Sequence, residues 1–345
     1  MTISQVDYFF LFITSYALVG LLTPLMRKLA IAQGVFDHPN SAHKSHKKPV
    51  PYLGGVAIII GVIIVSYTAL VFTKYSWSNF WLATSVIGPA LVMGLVGLWD
   101  DLKNLNPLPR FIGQSISGLF IAFILILNDN IGNPTGITAL DAVITLIWIV
   151  AICNSINFFD NLDGGAAGTV AITAISLTYL AIIGNQYFTA ALSVVVAGST
   201  LGFLVWNRAP ARIYMGDAGA LFLGLLIAVL TVRFKPSTES SLSSFAIPVL
   251  LLAIPILDTS VAVLSRLRRK VSPFQGGKDH LSHRLVRLGL SRKLSAMILW
   301  GLTALFNLFA VLVSLPNNGN ELFFILISLV FWLLLFIFFF RTKDN

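Results

Sequence analysis

Residues 321–340 read ELFFILISLVFWLLLFIFFF, a run of twenty residues in which Glu321 is the single charged side chain. As an α-helix, a run of this length spans about 30 Å, which matches the hydrocarbon thickness of a bilayer. Because backbone polar groups in lipid must be hydrogen-bonded within the segment, the run is predicted to be a transmembrane helix.

Ten further apolar runs precede this one. They lie at about 7–26, 53–73, 81–99, 111–127, 140–156, 166–184, 187–205, 215–232, 245–264 and 295–314. Their hydrophobicity is continuous and does not alternate as it does in a membrane β-strand. The sequence therefore predicts an all-α, polytopic integral membrane protein with about eleven transmembrane helices, in a single transmembrane domain over residues 1–345.

The composition excludes a soluble or disordered chain. Of the 345 residues, 57% are hydrophobic and 11% are charged, whereas a soluble domain carries about 25% charged residues. The single cysteine, Cys153, excludes an intrachain disulfide. Among the 14 acidic residues only Glu239 and Glu321 are glutamate. Since aspartate is the commoner acid of binding sites, this imbalance favours a functional site.

Lysine and arginine are distributed unequally between the two sides. With the N-terminus outside, the cytoplasmic loops are about 27–52, 100–110, 154–165, 206–214 and 265–294, followed by the C-terminal tail. Twenty of the 23 Lys and Arg residues fall on this side, and the other side keeps Lys74, Arg233 and Lys235. The positive-inside rule therefore predicts an outside N-terminus and a cytoplasmic C-terminus. Topology and attraction to anionic lipid explain much of the net charge of +9.

Acidic residues on the same face need a further explanation. Asp100 and Asp101 are adjacent at the end of an apolar helix, where two carboxylates repel each other and are costly to desolvate. A solvated helix end is one interpretation. The other is a metal-binding or general-base pair in a cytoplasmic cleft, because carboxylates are preferred ligands of Mg²⁺.

The loop at 154–165 is rich in amides and carboxylates. Asn154, Asn157 and Asn161 follow one another at i, i+3 and i+7, and Asp160 follows Asn157 by three residues. In a helix this spacing places the side chains on one stripe. A polar helix cap is the alternative, but the loop has no Lys or Arg to neutralise Asp160 and Asp163. A metal ion or a hydrogen-bond-donating ligand is therefore favoured.

Three further cytoplasmic segments add polar groups. Asp217 lies near the start of a span, where a helix N-terminus favours negative charge, and capping alone would explain it. His280 and His283 lie at i, i+3 among many cations, which favours a phosphate-binding cluster over a two-histidine metal site. Lys44 and His46 precede a proline-rich turn and suit an anion, although a plain positive-inside loop is equally compatible.

Six short motifs occur in order on this face. The stretch from the first to the last, residues 44–284, is about two-thirds of the chain. They are Lys-x-His-x-x-Pro-x-Pro-x-x-Gly-Gly at 44–55, Asp-Asp at 100–101, Asn-x-x-Asn-x-x-Asp-x-x-Asp-Gly at 154–164, Asn-x-x-Pro-Ala-x-x-Tyr-Met-Gly-Asp at 207–217, Asp-Thr at 258–259 and Ser-Pro-Phe…His-x-x-His-Arg at 272–284. In these motifs the chain resembles the polyprenyl-phosphate N-acetylhexosamine-1-phosphate transferases. That family includes the undecaprenyl-phosphate N-acetylglucosamine-1-phosphate transferases and the phospho-N-acetylmuramoyl-pentapeptide transferases.

The resemblance implies an enzyme of the bacterial plasma membrane, with its active site on the cytoplasmic face. Undecaprenyl phosphate would attack the β-phosphorus of a UDP-N-acetylhexosamine and release UMP, the first membrane step of a cell-envelope glycan. Mg²⁺ would be required, with Mn²⁺ as an alternative. The eleven spans resemble the N-acetylglucosamine branch, and the muramoyl-pentapeptide branch, which has ten, is the alternative.

The resemblance also assigns residues by position. Asp100 and Asp101 match the catalytic acidic pair, and Asp217, with Asn157, matches the metal site. The implied substrate-binding residues are Lys44, His46, Asn157, Asp160, Asp163, Asn207, Tyr214, His280, His283 and Arg284. Ser282 and Gly277 stand where relatives often carry His and Asp, in the loop implied to shape the sugar pocket.

A secondary transporter is a distant alternative. It would place ionisable residues near the membrane midplane and show repeat symmetry, whereas the acids here lie at helix ends and the sequence shows no repeat. Membrane lipid is an expected partner and nucleic acid is not. The sequence leaves open which sugar is used, whether the protein forms a homodimer, and whether the attack is direct or passes through a covalent aspartyl-phosphate.

Overall fold

The computed structural model describes residues 4–37, 49–72, 76–103, 105, 107–129, 131, 135–236, 240–272, 277–315 and 319–342. The described residues form thirteen helices and two short strands. In chain order these are α1 (Gln5–Ala32), β1 (Phe36–Asp37), β2 (Val50–Pro51), α2 (Gly54–Phe72), α3 (Trp77–Lys103), α4 (Pro107–Leu127), α5 (Thr138–Phe159), α6 (Gly165–Ile183), α7 (Tyr187–Asn207), α8 (Gly216–Arg233), α9 (Ser241–Leu251), α10 (Ala253–Arg268), α11 (Leu281–Arg287), α12 (Arg292–Ser314) and α13 (Glu321–Arg341).

The helices confirm the predicted polytopic all-α architecture. Within the described residues, ten helices are long and apolar enough to cross a membrane, and the pair α9 and α10 gives an eleventh span if counted as one. Several helices extend beyond the predicted apolar runs. The last turn of α3 includes Asp100 and Asp101, and the last turns of α5 include Asn154 and Asn157, so these residues are helical rather than in loops.

The ninth predicted span differs from the straight helix expected at 245–264. It is broken at Leu252, where α9 and α10 meet at an angle of 73°. Pro255 has no N–H to donate to the carbonyl four residues earlier, and Pro248 lies within α9. Hydropathy does not register this break, because proline and its neighbours are apolar.

Helix α8 is the most enclosed element among the candidate spans. Fifteen of its eighteen residues are buried, and it packs against α2, α3 and α5. By contrast, α1 and α13 are the least buried spans and present apolar side chains outward, as expected for helices that face lipid. The position of α8 is therefore set by protein contacts on all sides.

Two glycines allow backbone contact with the start of α8. A Cβ atom at Gly97 in α3 would lie 2.3 Å from the carbonyl oxygen of Asp217, and one at Gly55 in α2 would lie 2.2 Å from the nitrogen of Gly219. Small residues at membrane helix interfaces permit this close approach. Since Asp101 is one helical turn beyond Gly97, the contact brings Asp101 to the N-terminus of α8.

Strands β1 and β2 form a short antiparallel pair next to this contact. Phe36 pairs with Pro51, and Asp37 pairs with Val50. The strand is continued by backbone bonds to the segment before α8, since the Tyr214 nitrogen donates to the Pro51 carbonyl at 2.9 Å and the Gly54 nitrogen donates to the Tyr214 carbonyl at 3.0 Å. The predicted site residues Lys44 and His46 lie outside the described residues.

Candidate active site

Asp101 caps the N-terminus of α8 from the end of α3. One carboxylate oxygen accepts from the Asp217 nitrogen at 2.8 Å, and the other accepts from the Ala218 nitrogen at 3.1 Å. Gly216 precedes them with φ of +70°, a left-handed conformation that suits glycine. A carboxylate at this place satisfies free helix N–H groups and interacts favourably with the helix dipole. Both oxygens of Asp101 are thus bonded to backbone.

Asp100 points to a different neighbour. Its Oδ2 lies 2.9 Å from the Nη1 of Arg110, and the same nitrogen lies 2.8 Å from the Oδ2 of Asp217. The other oxygen of Asp217 accepts from the Asn157 amide at 2.8 Å. Asp100 is 7% exposed, and its Oδ1 accepts from the Leu105 nitrogen at 2.5 Å. One guanidinium therefore bridges two carboxylates from α3 and α8.

Arg110 is a site residue that was not identified in the sequence. In the sequence it contributes only to the positive-inside count. A signal was present, because Arg110 is the single charged residue of α4, and an ionisable residue in a candidate span indicates function by default. What the sequence did not reveal is that this cation lies between two acids more than a hundred positions apart on α3 and α8.

The Asp100 and Asp217 pair fits a bound Mg²⁺. A cation already lies within 2.9 Å of an oxygen from each carboxylate, so the two groups are arranged to share positive charge. Among the described residues, no three His, Cys, Asp or Glu side chains converge into a complete cage. Mg²⁺ sites that complete their coordination with substrate phosphates need one or two carboxylates, and this donor set matches that requirement.

The turn between α5 and α6 lies next to this pair. Burial raises the pKa of Asp160 well above its usual range, and the neighbouring Asp217, Asp101 and Asp163 raise it further. Asp163 accepts from the Ala211 nitrogen at 3.0 Å and lies 3.5 Å from the Tyr214 hydroxyl. This accumulation of acids in a partly buried turn would be relieved by a cation.

Asn207 holds two segments of the site together. Its side-chain oxygen accepts from the Gly164 nitrogen at 3.0 Å, and its amide donates to the Ile213 carbonyl at 3.0 Å. Asn207 is 1% exposed, so both amide groups bond to protein. It ties the turn after α5 to the segment that leads into α8. Its predicted contact with the nucleotide stays a prediction.

Two tyrosine hydroxyls contact acidic residues of the site, Tyr52 at Asp101 and Tyr214 at Asp163. Burial and the nearby Asp101 raise the pKa of Tyr52 to about 12, and its hydroxyl donates to the backbone carbonyl of Asp101. Burial and Asp163 raise the pKa of Tyr214 above its usual value. Both tyrosines therefore remain protonated hydrogen-bond donors at neutral pH.

A buried network holds residues 279–281, at the start of α11, against α10. Asp258 in α10 accepts from the Leu281 nitrogen at 2.7 Å and lies 2.7 Å from His280 Nδ1. The other ring nitrogen of His280 lies 3.1 Å from Arg266, whose Nε donates to Asp279 at 2.9 Å. His280 is 6% exposed and both of its ring nitrogens have protein partners. The network therefore positions the start of α11 relative to α10.

Arg284, a buried residue of α11, bonds to the same segment and to α10 and α13. It is 0% exposed, and it donates to the Asp279 carbonyl at 2.7 Å, the Ser265 hydroxyl at 2.7 Å and the Phe339 carbonyl at 2.8 Å. These bonds give Arg284 a supporting position. The phosphate or sugar contact predicted for it stays a prediction.

Ser282 and His283 lie in α11, next to the His280 network. Burial and the adjacent His280 lower the pKa of His283 to about 4, so its ring is neutral at pH 7. The Ser282 hydroxyl donates to the side-chain oxygen of Asn161. Serine at this position therefore links the first turn of α11 to the turn after α5.

A cavity of about 760 Å³ adjoins Asp163 on the side of α7 and α12. Its charged and aromatic lining consists of Asp163, Trp206, Arg208, Arg212, Lys293 and Trp300. Arg292 at the start of α12 places a further cation 3.7 Å from Asp163. Three cations and two indole rings around a cavity of this size suit an anionic ligand with a flat ring.

The family model described as glycosyl transferase family 4 matches residues 83–235, which contain both halves of the carboxylate pair. "Probable undecaprenyl-phosphate N-acetylglucosaminyl 1-phosphate transferase" of Bacillus subtilis (strain 168) is 32% identical over 327 residues, covering 93% of this chain and 88% of that protein.

Two other relatives represent neighbouring specificities. The decaprenyl-phosphate N-acetylglucosaminephosphotransferase of Mycolicibacterium smegmatis is 33% identical over 322 residues, covering 82% of this chain and 78% of that protein. The phospho-N-acetylmuramoyl-pentapeptide-transferase of Streptococcus uberis is 27% identical over 203 residues, covering 55% of this chain and 61% of that protein.

Proposed function

Because this chain belongs to glycosyl transferase family 4, together with the polyprenyl-phosphate N-acetylglucosamine-1-phosphate transferases, we propose that it transfers N-acetylglucosamine 1-phosphate from a UDP-sugar to undecaprenyl phosphate. UMP is the second product. The single observation that carries the proposal is the carboxylate pair of Asp100 and Asp217 held by Arg110 at the capped start of α8. The muramoyl-pentapeptide substrate is disfavoured, since the relative that uses it matches a smaller part of the chain.

The reaction brings together two anions, a lipid phosphate and a nucleotide diphosphate. Their repulsion and the charge of the transition state must be offset by fixed positive charge. We propose that Asp100 and Asp217 hold Mg²⁺, or Mn²⁺ in its place, while the substrate phosphates complete its coordination. When bound, the ion supplies charge neutralisation and polarises a phosphoryl oxygen.

The contacts support different roles for the two adjacent acids. Asp101 has both oxygens bonded to the backbone of α8, so it positions Asp217 rather than acting on substrate. Oδ2 of Asp100 faces the side chain of Arg110, which can turn away when another cation or a phosphate arrives. Asp100 is therefore the better candidate to accept a proton from the lipid phosphate or to hold the metal.

The cavity beside Asp163 supports a position for the nucleotide. Its arginines suit phosphate oxygens, and its indole rings suit a base or a sugar face. Asp163 lines the cavity and offers an acceptor for polar atoms of the base, and the Tyr214 hydroxyl lies 3.5 Å from it. His283, neutral at pH 7, is available to hydrogen-bond a sugar hydroxyl.

We further propose that the protein lies in the bacterial plasma membrane with this site on the cytoplasmic face, where UDP-sugars are available. The distribution of lysine and arginine supports this orientation. The polyprenyl chain of the acceptor would reach the site from the bilayer, which removes the need to carry it through water.

The decisive experiment measures UMP release by the purified protein with undecaprenyl phosphate, MgCl₂ and a panel of UDP-sugars. We expect release with UDP-N-acetylglucosamine, and a loss on the order of 10²–10³-fold in Asp217→Asn. Asp129→Asn, the same change at an exposed acid of the loop after α4, is the matched control and should retain activity. No UMP from any sugar would overturn the proposal.

A further inference from the structure

A second cavity lies at the end of the helices opposite the candidate active site. Its volume is about 560 Å³, and it is formed by the first turns of α1, the end of α2, the start of α3, the start of α7 and the end of α8. Along α8, the distance from Asp217 to this end is roughly 24 Å at 1.5 Å per residue. We call it the far-end cavity. It is separate from the carboxylate pair.

Apolar side chains make up most of the lining of the far-end cavity. They include Phe10 and Leu18 of α1, Ile64 and Leu70 of α2, and Val195 of α7. Ile64 is 48% exposed, as befits a helix surface in contact with lipid. The cavity can therefore receive an alkyl chain from the surrounding bilayer.

Arg233, the last residue of α8, brings a buried charge into this apolar setting. It is 8% exposed, and its Nε and Nη1 have no hydrogen-bond partner among the described residues. Its guanidinium carbon lies 4.9 Å from the ring centroid of Phe188, and no ion pair joins it to any acid in the described ranges. A cation at a helix C-terminus gains from the dipole, but that does not satisfy its donors.

A second unsatisfied polar group lines the same cavity. The Ser66 hydroxyl is buried and has no hydrogen-bond partner in the part of the chain that the structure describes. Buried charges and hydroxyls without partners are costly, and proteins normally pair them. Both side chains line the cavity, so an anion bound there would supply the acceptors that they lack.

The other charged residues of the cavity already have partners. Lys235 donates to the backbone carbonyl of Asp129 at 2.8 Å and adds positive charge at the rim. Asp7 is exposed, and its carboxylate accepts from the Ser4 nitrogen and hydroxyl, both at 2.8 Å. The unsatisfied donors are therefore those of Arg233 and Ser66, and an anion would provide acceptors for them.

We propose that the far-end cavity binds an anionic phospholipid, with its phosphate on Arg233 and Ser66 and an acyl chain among the apolar side chains. A free phosphate would leave the apolar lining empty, and an uncharged lipid would leave the guanidinium unpaired. With the active site on the cytoplasmic face, the bound lipid belongs to the outer leaflet. There it would join α1, α2, α3 and α7 to the end of α8.

The test compares melting temperatures of the delipidated full-length protein in dodecyl maltoside. Phosphatidylglycerol, phosphatidylcholine and inorganic phosphate are added separately. Because a ligand that binds only the folded state stabilises it, phosphatidylglycerol should raise the melting temperature by on the order of 5 °C. An equal rise with phosphatidylcholine, or with inorganic phosphate alone, would overturn the proposal, as would the absence of a rise with phosphatidylglycerol.

Two variants connect the effect to the guanidinium. Arg233→Met should lose the response to phosphatidylglycerol, and should melt no lower than the wild type without lipid, because it removes an unpaired buried charge. Arg341→Gln, at an exposed arginine of the opposite end, should keep the full response. A response retained by Arg233→Met would contradict the assignment.

A third measurement does not depend on how the variants fold. Phosphatidylglycerol with a photoreactive acyl chain is cross-linked to the wild-type protein, and the labelled peptides are identified. We expect labels on the parts of α1, α2 and α7 that line the far-end cavity, whereas labels confined to helices outside its lining would refute the site. None of these readouts uses transferase activity, so failure here is distinct from failure of the proposed function.

Discussion

Replacing Asp101 with asparagine should lower the stability of the folded protein more than the same replacement at the adjacent Asp100. The two residues are neighbours in sequence, carry the same charge and lie in the same last turn of α3. They differ in their partners, since Asp101 accepts two backbone hydrogen bonds from α8 and Asp100 pairs with Arg110. The pair of variants therefore separates a capping role from a chemical one.

The magnitudes follow from these contacts. Hydrogen bonds to a charged acceptor contribute about 1.5–3 kcal/mol each, and a charge at a helix N-terminus adds about 0.3–1 kcal/mol. Asparagine keeps one acceptor oxygen and turns an amide toward the other N–H group. Asp101→Asn should therefore lower the free energy of unfolding by about 2–4 kcal/mol. Asp100→Asn keeps an oxygen for the Leu105 nitrogen and loses only the charge pairing with Arg110, whose side chain is 25% exposed, so it should cost about 1 kcal/mol.

Both variants should be measured for melting temperature in detergent and for UMP release. We expect Asp101→Asn to melt clearly below Asp100→Asn, and Asp100→Asn to lose turnover while remaining close to the wild type in melting temperature. If the two variants melt at the same temperature, or if Asp100→Asn retains full turnover, the division of roles between the two acids is refuted.

Three further predictions concern the same site. Arg110→Gln removes the cation between two carboxylates, so the variant should melt lower without metal and gain more from added MgCl₂ than the wild type does. Gly97→Ala would place a Cβ atom 2.3 Å from a carbonyl oxygen of α8 and should reduce UMP release, whereas Gly88→Ala, which meets open space in the same helix, should not. The pKa of His283 is lowered to about 4 from an ordinary 6.5, so the unfolded chain takes up a proton in this window before the folded protein does. Stability should be complete above pH 6.5 and fall as the pH decreases toward 4, and His283→Gln should reduce that fall in melting temperature.

Each of these has an outcome that would contradict it. For Arg110, an equal response to MgCl₂ in variant and wild type would show that the guanidinium does not share its place with a metal. Equal turnover of the two glycine variants would exclude a required close approach of α3 to α8. A pH profile unchanged by His283→Gln would mean that other groups set the acid sensitivity.

Much of the fold follows from local properties of the chain. A helix that crosses lipid needs about twenty apolar residues in succession, so hydropathy alone revealed the spans, and the lysine and arginine count predicted their direction. The exception is the span broken at Leu252, because the bend depends on a missing backbone hydrogen bond and leaves hydropathy unchanged. The helices also continue past the apolar runs, since polar last turns at a membrane surface remain helical.

The candidate site was predictable in composition and less so in arrangement. The sequence indicates Asp100, Asp217 and Asn157, and in the structure Arg110 joins Asp100 to Asp217, which also accepts from Asn157. The supporting positions of His280, Arg284 and Asn207 were not foreseen. A residue type shows which bonds a side chain can make, but the partners come from other helices.

The sequence by itself determined that this protein is a polytopic membrane protein, and it predicted most of the aspartates and cations on one face, because those properties depend on residue types and local spacing. The tertiary structure alone decided which of the two adjacent aspartates caps α8 and which pairs with Arg110. Adjacent residues of a helix point about 100° apart, so Asp100 and Asp101 face different neighbours. Only the approach of α8 through Gly97 makes one of them a cap and leaves the other beside Arg110 and Asp217.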